Sequence, residues 1–322
     1  VRLPFPAHAP HLADRMVAAA PGISPLRLTI DAPLQIAMES LAARAVAPRG
    51  DRVSAAILIA DHGTGEILSS VGAAAFGAEG RQGYIDMTLA ARSPGSTLKP
   101  LIYGLAFDAG LAHPETLMED QPTRFGNYAP QNFDRQFHGT VRAREALQMS
   151  LNIPAVALTE ALGPARLLAA LKRAGLEPGF AGTEPGLAIA LGGIGLSLED
   201  MAQLYAGLAR GGTAIRLSAL PGQAGTLQPV LSPQAAWQVG DILSGLAPPP
   251  GAPANRLAYK TGTSYGHRDA WAIGYDGRTV IAVWMGRPDG TPVPGAFGGE
   301  FAAPVLFEAF SLMKSQLDPL PP

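Results

Sequence analysis

Strand-like segments occupy both ends of this chain, and helical segments fill its middle. The strands are predicted at Ala55 to Ala60, Glu66 to Val71, Arg256 to Thr263, Ala270 to Tyr275 and Thr279 to Met285. The helices between them are predicted at about 97–109, 141–150, 153–174, 197–210 and 232–246. Strands that lie so far apart in the sequence must pair in a single sheet to bury their apolar faces, which predicts an α+β fold.

The flanking segments set the expected domain boundaries. Residues 1–26 are rich in proline, alanine and histidine and are predicted to be a linker, and residues 317–322 a proline-rich tail. The sequence between them, residues 27–316, is predicted to form one domain. It should begin with a short strand at Leu28 to Asp31 and a helix from Pro33 to Val46, and end with a helix at 301–316.

Composition excludes several classes of function. The chain has 322 residues, 47% of them apolar, and a net charge of −2, which argues against nucleic acid as a partner. Cysteine is absent, so disulfides and thiolate metal sites are excluded. No apolar run approaches the ~18 residues of a membrane-spanning helix. The first residues lack the layout of a signal peptide, so any membrane anchor would lie outside this sequence.

The histidines give no metal site. His8 and His11 could be a pair of metal ligands, but no third ligand lies nearby, and a solvated linker is favoured. Neither a metal nor a cofactor is therefore predicted. His267 is the one histidine of interest, because it follows the third motif described below.

The first candidate motif combines a serine with one of the few lysines. Only four of the 24 basic residues are lysines, and lysine, unlike arginine, can lose its proton when desolvated. Ser96-Thr97-Leu98-Lys99 follows Pro94-Gly95 and opens a helical segment, which puts Lys99 on the same face as Ser96. A neutral lysine there could activate the serine as a nucleophile. A second copy of the pattern, Ser311 to Lys314, lacks the preceding Pro-Gly and is interpreted as coincidence.

Two further motifs carry polar groups suited to a cleft. Ser150-Leu151-Asn152 precedes Pro154 and is predicted in a loop, where its hydroxyl and amide could project together or could simply cap a helix. Lys260-Thr261-Gly262-Thr263-Ser264 closes a strand. There the glycine could let a substrate backbone come close, and the ammonium and hydroxyl groups could bind a carboxylate. By itself this segment is equally consistent with a polar strand end.

Together the three motifs, in this order, resemble the signature of serine β-lactamases and penicillin-binding proteins. The resemblance covers roughly residues 28–315 and is greatest to class A penicillin-binding proteins, in particular to their 1C branch. It is carried by Arg92 to Pro100, Tyr128-Ala129-Pro130-Gln131-Asn132-Phe133-Asp134, Lys260 to Trp271 and Val283 to Gly290. It implies a five-stranded antiparallel sheet with helices on both faces, and an adjacent helical subdomain across a cleft.

The resemblance also implies a role for each motif residue. Ser96 would attack the D-Ala-D-Ala carbonyl of a donor stem peptide, with Lys99 as general base. Ser150 would relay a proton to the departing D-alanine, and Asn152 would position Lys99 and the substrate amide. Lys260 would support this proton network electrostatically. β-Lactams would imitate the donor and stall at the acyl-enzyme.

Substrate contacts follow from the same resemblance. The implied substrate-binding residues are Tyr128, Asn132, Thr261, Gly262, Thr263 and Ser264. Of these, Thr261 and Thr263 would hold the terminal carboxylate, and the backbone N–H groups of Ser96 and Thr263 would form an oxyanion hole. The implied partners are donor and acceptor stem peptides, β-lactams and other cell-wall synthesis proteins. The implied location is the periplasmic side of the bacterial inner membrane.

Three alternatives share these residues. A D,D-carboxypeptidase would use water as the acceptor. A serine β-lactamase would need a base for that water, and Glu184 lies roughly where such a base would be. However, Glu184-Pro185 is not followed by the Leu-Asn of that pattern, and Leu151 replaces its aspartate. A non-catalytic β-lactam sensor or cell-wall scaffold would not need the complete set of serines and lysines.

Overall fold

The computed structural model describes residues 7–22, 25–180, 186–252 and 257–321. Glu184 and Pro185 of the β-lactamase alternative lie outside these ranges, as does Arg256 at the start of a predicted strand.

A five-stranded antiparallel sheet forms the centre of the fold. Its strands are β1 (Ser54–Asp61), β2 (Ile67–Val71), β7 (Ala258–Thr263), β8 (Asp269–Tyr275) and β9 (Thr279–Gly286). They lie in the order β2-β1-β9-β8-β7, so the first strand of the chain pairs with the last. The prediction of one sheet built from both ends of the chain is confirmed.

Both faces of this sheet are covered by helices. Alternate residues of β1 enter two separate cores, because successive side chains of a strand point to opposite faces. Ile57 and Ile59 pack with Met38 and Leu306, from helices α2 (Ala32–Val46) and α9 (Gly298–Met313). Leu58 enters the other core, which includes helix α7 (Leu198–Ala209).

A mostly helical part packs beside the sheet. It contains α3 (Lys99–Asp108), α4 (Ala143–Gln148), α5 (Asn152–Leu162), α6 (Pro164–Arg173) and α8 (Pro233–Ser244). Two two-stranded sheets accompany them: β3 (Leu117–Asp120) with β4 (Gly139–Arg142), and β5 (Thr213–Arg216) with β6 (Gly225–Pro229). These small sheets were not predicted.

Two predicted elements differ from the structure. The single helix at 153–174 is wrong: α5 and α6 meet at 86°, because Gly163 adopts a positive φ of 80° and Pro164 begins a new helix. The strand at Leu28 to Asp31 is also wrong: these residues join no sheet, although the N–H groups of Thr29 and Asp31 donate to the carbonyls of Ala219 and Leu68. Among the described residues, no single helix is long and apolar enough to cross a membrane, although the bent α5–α6 pair reaches that length and composition jointly.

The predicted linker contains a packed helix, α1 (Pro10–Ala19). Leu12 is fully buried in the core, and the Arg15 guanidinium lies 2.9 Å from the Glu199 carboxylate. At the other end, Leu317 and Leu320 pack against the two cores. Residues before 27 and after 316 therefore also contact the cores. The two predicted domain boundaries stay predictions.

Lys314, from the second serine–lysine pattern, ties the C-terminal segment to the sheet. Its Nζ donates to the carboxylates of buried Asp276, in the β8–β9 turn, and of Asp318, each at 2.7 Å. Ser311 instead donates to the Phe307 carbonyl within α9. The two residues of this pattern thus have separate structural partners.

Candidate active site

A short 3₁₀ turn (Gly95–Leu98) places half-buried Ser96 at the entrance to α3. Gly95 has a φ of 52°, and a Cβ there would lie 2.5 Å from the carbonyl oxygen of Thr263. Only glycine permits both the backbone conformation and this close approach. This 3₁₀ turn, called the nucleophile turn below, therefore packs directly against the end of β7, which carries the third motif.

Buried hydrogen bonds fix this turn from beneath. The Tyr205 hydroxyl of α7 donates to the Thr97 carbonyl at 2.7 Å, and the Trp271 indole of β8 donates to the Ser93 carbonyl at 2.9 Å. Both aromatic side chains are fully buried. The nucleophile candidate thus sits on a rigid support.

The side chain of Lys99 is fully buried and turned towards the second motif. Its Nζ donates to Asn152 Oδ1 at 2.7 Å and to the Ser150 carbonyl, and lies 3.4 Å from Ser150 Oγ. Within the described ranges, no hydrogen bond joins Lys99 to Ser96. The amine that was predicted to activate Ser96 is therefore held by Ser150 and Asn152 in this structure.

Ser150 lies in the turn between α4 and α5 with a φ of 60°, which is uncommon for a residue other than glycine. Its hydroxyl accepts a hydrogen bond of 2.8 Å from Lys260 Nζ, which also donates to the Thr261 carbonyl at 3.0 Å. The Ser150 hydroxyl therefore lies between two buried amines, Lys99 and Lys260. The second and third motifs meet through this oxygen.

Burial shifts the proton affinities of both lysines. Desolvation lowers the pKa of Lys99 well below its ordinary value, the charge of Lys260 lowers it further, and the charge of Asp120 raises it. Desolvation also lowers the pKa of Lys260 to about 7. Near neutral pH, the site can therefore hold a neutral amine, which arginine could not provide.

Asn152 is oriented by the segment that precedes α4. Its Nδ2 donates to the Gln131 carbonyl, and its backbone N–H donates to Asn132 Oδ1, both at 2.7 Å. Asn132 is itself 4% exposed, and its Nδ2 donates to Asp120 and to the Gln136 carbonyl. Substrate binding by Asn132 stays a prediction; the contacts seen for its side chain hold Asn152.

The end of β7 shows close packing where the sequence predicted substrate contacts. A Cβ on Gly262 would lie 2.7 Å from the Pro94 carbonyl oxygen and 2.8 Å from Thr97 Cγ2. The absence of a side chain at Gly262 therefore admits the protein's own 3₁₀ turn, and a substrate contact at this glycine stays a prediction. Ser264 is also buried, and its Oγ donates to Asp269 at 2.7 Å.

The two threonines of the third motif are both half-buried. Thr263 Oγ1 accepts from the backbone N–H of Gly298, at the start of α9, at 3.1 Å. This contact fixes the threonine beside the nucleophile turn.

Aromatic side chains lie beyond the third motif. Phe133, His267 and Phe297 pack edge-on against one another, with ring centroids 4.9–5.7 Å apart. Tyr128 is half-buried and packs against the helical core. Sequence reasoning missed Asp120 and Phe297, because an acidic residue in a polar segment and a phenylalanine before a glycine pair give no local signal.

No group of three or more metal-ligating side chains occurs in the described part of the chain. The candidate site offers two serine hydroxyls, on Ser96 and Ser150, together with two buried amines and an oriented amide.

Comparisons with known proteins agree with this geometry. Residues 55–310 match the sequence profile of the penicillin binding protein transpeptidase domain. The chain is 43% identical to penicillin-binding protein 1C of Escherichia coli, over 98% of this chain and 42% of that protein. It is 32% identical to penicillin-binding protein 1B of Vibrio cholerae, over 76% of this chain and 34% of that protein.

A solved structure shares the fold. PonA1 from Mycobacterium tuberculosis, in complex with penicillin V, superimposes with a TM-score of 0.79 at 21% identity, over 95% of this chain and 93% of that one. The fold class predicted from the sequence is confirmed. The chain spans less than half the length of the curated relatives it matches.

Proposed function

This chain belongs to the family of penicillin-binding protein transpeptidase domains, and we propose that it is a D,D-transpeptidase that cross-links peptidoglycan stem peptides through an acyl-enzyme on Ser96. Membership of this family implies peptidoglycan synthesis and β-lactam binding. The observation that carries the proposal is the Ser150 hydroxyl held between the buried amines of Lys99 and Lys260. A binding protein without catalysis would not need two desolvated lysines at its cleft.

Acylation begins with proton transfer from Ser96 to neutral Lys99, as Ser96 Oγ attacks the carbonyl carbon of the donor's penultimate D-alanine. Because Lys99 contacts Ser150 and Asn152 in the free site, it exchanges one of these partners for Ser96 during this step. The peptide C–N bond then breaks. The proton that Lys99 took from Ser96 passes through Ser150 to the leaving D-alanine amine, and Lys260 supports this transfer electrostatically from its hydrogen bond to Ser150.

The second half-reaction transfers the acyl group to an amine. The acceptor amine of a neighbouring stem peptide attacks the ester carbonyl and loses its proton to the lysine–Ser150 network. The C–O bond to Ser96 breaks, and the serine oxygen regains a proton. The product is a new peptide bond between two stem peptides, and the site returns to its initial protonation.

The remaining motif groups bind the substrate and the developing charge. The backbone N–H groups of Ser96 and Thr263 stabilise the oxyanion, since the turn places them at adjoining segments. Thr261 and Thr263 hold the donor's terminal carboxylate at the end of β7. The carboxylate leaves with D-alanine, so these contacts favour the donor and not the acceptor.

Location and whole-protein partners are also part of the proposal. We place the reaction on the periplasmic side of the bacterial inner membrane, where stem peptides are available. Other cell-wall synthesis proteins are the expected partners of the longer protein.

Intact-mass measurement after penicillin treatment tests the nucleophile. We expect one penicilloyl adduct on the wild-type chain, which peptide mapping assigns to Ser96. Ser96→Ala should remove the adduct without lowering the melting temperature. The matched control is Ser311→Ala, in the other serine–lysine pattern, which should be acylated like wild type because the Ser311 hydroxyl donates to the Phe307 carbonyl within α9.

Product analysis tests the acceptor. Incubation with a stem pentapeptide and an acceptor stem peptide should give cross-linked dimer. Free D-alanine without dimer would support a carboxypeptidase instead, and loss of the penicilloyl adduct within minutes would support a β-lactamase. Penicillin acylation without any turnover of peptide would support a sensor or scaffold. Adduct formation at a residue other than Ser96 would overturn the mechanism.

A further inference from the structure

Asp120, the last residue of β3, is a fully buried carboxylate that the proposed reaction does not use. It accepts hydrogen bonds from Asn132 Nδ2 at 2.9 and 2.7 Å, and from the His138 backbone N–H at 2.9 Å. Among the described residues, no lysine, arginine or histidine side chain forms an ion pair with it. A buried carboxylate supported only by neutral donors is costly, so its presence requires an explanation.

The Asp120 carboxylate determines which way the Asn132 amide is oriented. An ionised carboxylate only accepts hydrogen bonds, so it can face only the Nδ2 end of Asn132. This turns Asn132 Oδ1 towards the backbone N–H of Asn152, at 2.7 Å. The Asn152 side chain in turn accepts from Lys99 Nζ at 2.7 Å. A continuous chain of contacts therefore leads from Asp120 to the amine.

From this geometry, and on the basis of the proposed function, we infer that Asp120 is a positioning residue that orients Asn132 and Asn152 beneath Lys99 and supplies the negative charge opposing Lys260. Two of the surrounding titratable groups, Lys260 and Asp120, act on Lys99, and Asp120 also acts on Tyr103. Asp120 comes from β3, Lys260 from β7, and Lys99 and Tyr103 from successive turns of α3.

The electrostatic effects on Lys99 support this assignment. Burial and Lys260 lower the pKa of Lys99, and Asp120 counteracts them. Burial and Asp120 also raise the pKa of the Tyr103 hydroxyl, a fully buried group without a hydrogen-bond partner in the described part of the chain. The negative charge of Asp120 thus limits how far the pKa of Lys99 is lowered.

Asp120→Asn tests the inference, because it keeps the side-chain volume and removes the charge. The new amide can no longer fix Asn132 by acceptance alone, so Asn152 and Lys99 lose their alignment. We expect the acylation rate with a fluorescent penicillin to fall on the order of 10- to 100-fold at its pH optimum. The matched control is Asp134→Asn, in the same segment but exposed, which should acylate at the wild-type rate.

The pH profile tests the charge of Asp120 separately from its positioning contacts. Loss of the Asp120 charge lowers the pKa of Lys99 further, so the acid limb of the acylation profile should move to lower pH. A structural defect would reduce the rate and leave that limb in place. Asn132→Ala keeps the Asp120 charge and breaks the contact chain, so it should slow acylation without moving the acid limb.

The outcomes separate this inference from the proposed function. If wild type itself forms no adduct on Ser96, the proposed function fails. If wild type acylates and folded Asp120→Asn acylates equally fast with the same acid limb, the positioning inference fails. If Asp120→Asn does not fold, as judged by thermal melting, the acylation rate of Asn132→Ala tests the inference instead. A wild-type rate in that variant overturns the inference.

Discussion

The close packing of Gly262 against the nucleophile turn gives a quantitative prediction for Gly262→Ala. The added Cβ would lie 2.7 Å from the Pro94 carbonyl oxygen, 2.8 Å from Thr97 Cγ2 and 3.0 Å from Thr97 N. Ordinary contacts of a carbon atom are about 3.5–4.0 Å, so the turn must move away from β7 by roughly half an ångström to one ångström. Overpacking of this kind costs about 1–3 kcal/mol of stability, equivalent to a few degrees of melting temperature.

The same movement displaces Ser96 from the end of β7. A misplacement of about 1 Å can reduce a rate on the order of 100-fold, so we expect acylation by penicillin to slow by about 10- to 100-fold. Differential scanning fluorimetry measures the first effect, and stopped-flow acylation with a fluorescent penicillin measures the second. Adding Thr97→Ser removes the Cγ2 contact and should restore part of both losses.

Gly299→Ala is the matched control. A Cβ at Gly299, in the first turn of α9, meets no atom within 4 Å. Alanine is also favoured over glycine in a helix by up to about 1 kcal/mol, so this variant should melt at or slightly above the wild-type temperature and acylate normally. If Gly262→Ala behaves like Gly299→Ala in both assays, contact with the turn is not the reason for a glycine at 262.

Three further variants test the lysines. Lys99→Arg should reduce acylation by about 10²–10⁴, because arginine stays protonated, whereas exposed Lys172→Arg should have no effect. Burial lowers the pKa of Lys260 to about 7, so between pH 7 and 9 the unfolded chain holds more protons and the wild-type free energy of unfolding rises with pH. Lys260→Met should make that rise less steep in urea unfolding, and an unchanged slope would contradict the assigned burial effect. Lys314→Met leaves buried Asp276 without its cation and should cost about 2–4 kcal/mol in urea unfolding, with unchanged acylation, and Lys172→Met is its control.

The sequence predicted the central sheet because its strands are buried on both faces and read as short apolar runs between turns. The same reasoning failed where tertiary packing decides. Leu12 lies in a segment of proline, alanine and histidine without a clear period, yet it enters the core. The Gly163-Pro164 pair divides a continuous helical pattern, which composition alone presented as one helix.

The residue types of the site were predicted, but several of their contacts were not. The three motifs can be recognised from their residues and their order along the chain, and they contain Ser96, Lys99, Ser150 and Lys260. Two contacts depend on segments that lie far apart in sequence. Lys99 faces Ser150 and Asn152, and Gly262 accommodates the nucleophile turn. Asp120 gives no local signal, because its role arises only from burial next to Asn132.

The pairing of the first strand with the last also bears on how the domain is made. During synthesis β1 emerges early but must wait for β9, its partner at the centre of the sheet. Contacts between such distant segments form late in folding. A nascent or truncated chain that ends before β7 therefore carries Ser96 without Lys260 or the support of Trp271. Under the proposed chemistry, β-lactams would acylate Ser96 only in completed domains and would not acylate ribosome-bound intermediates.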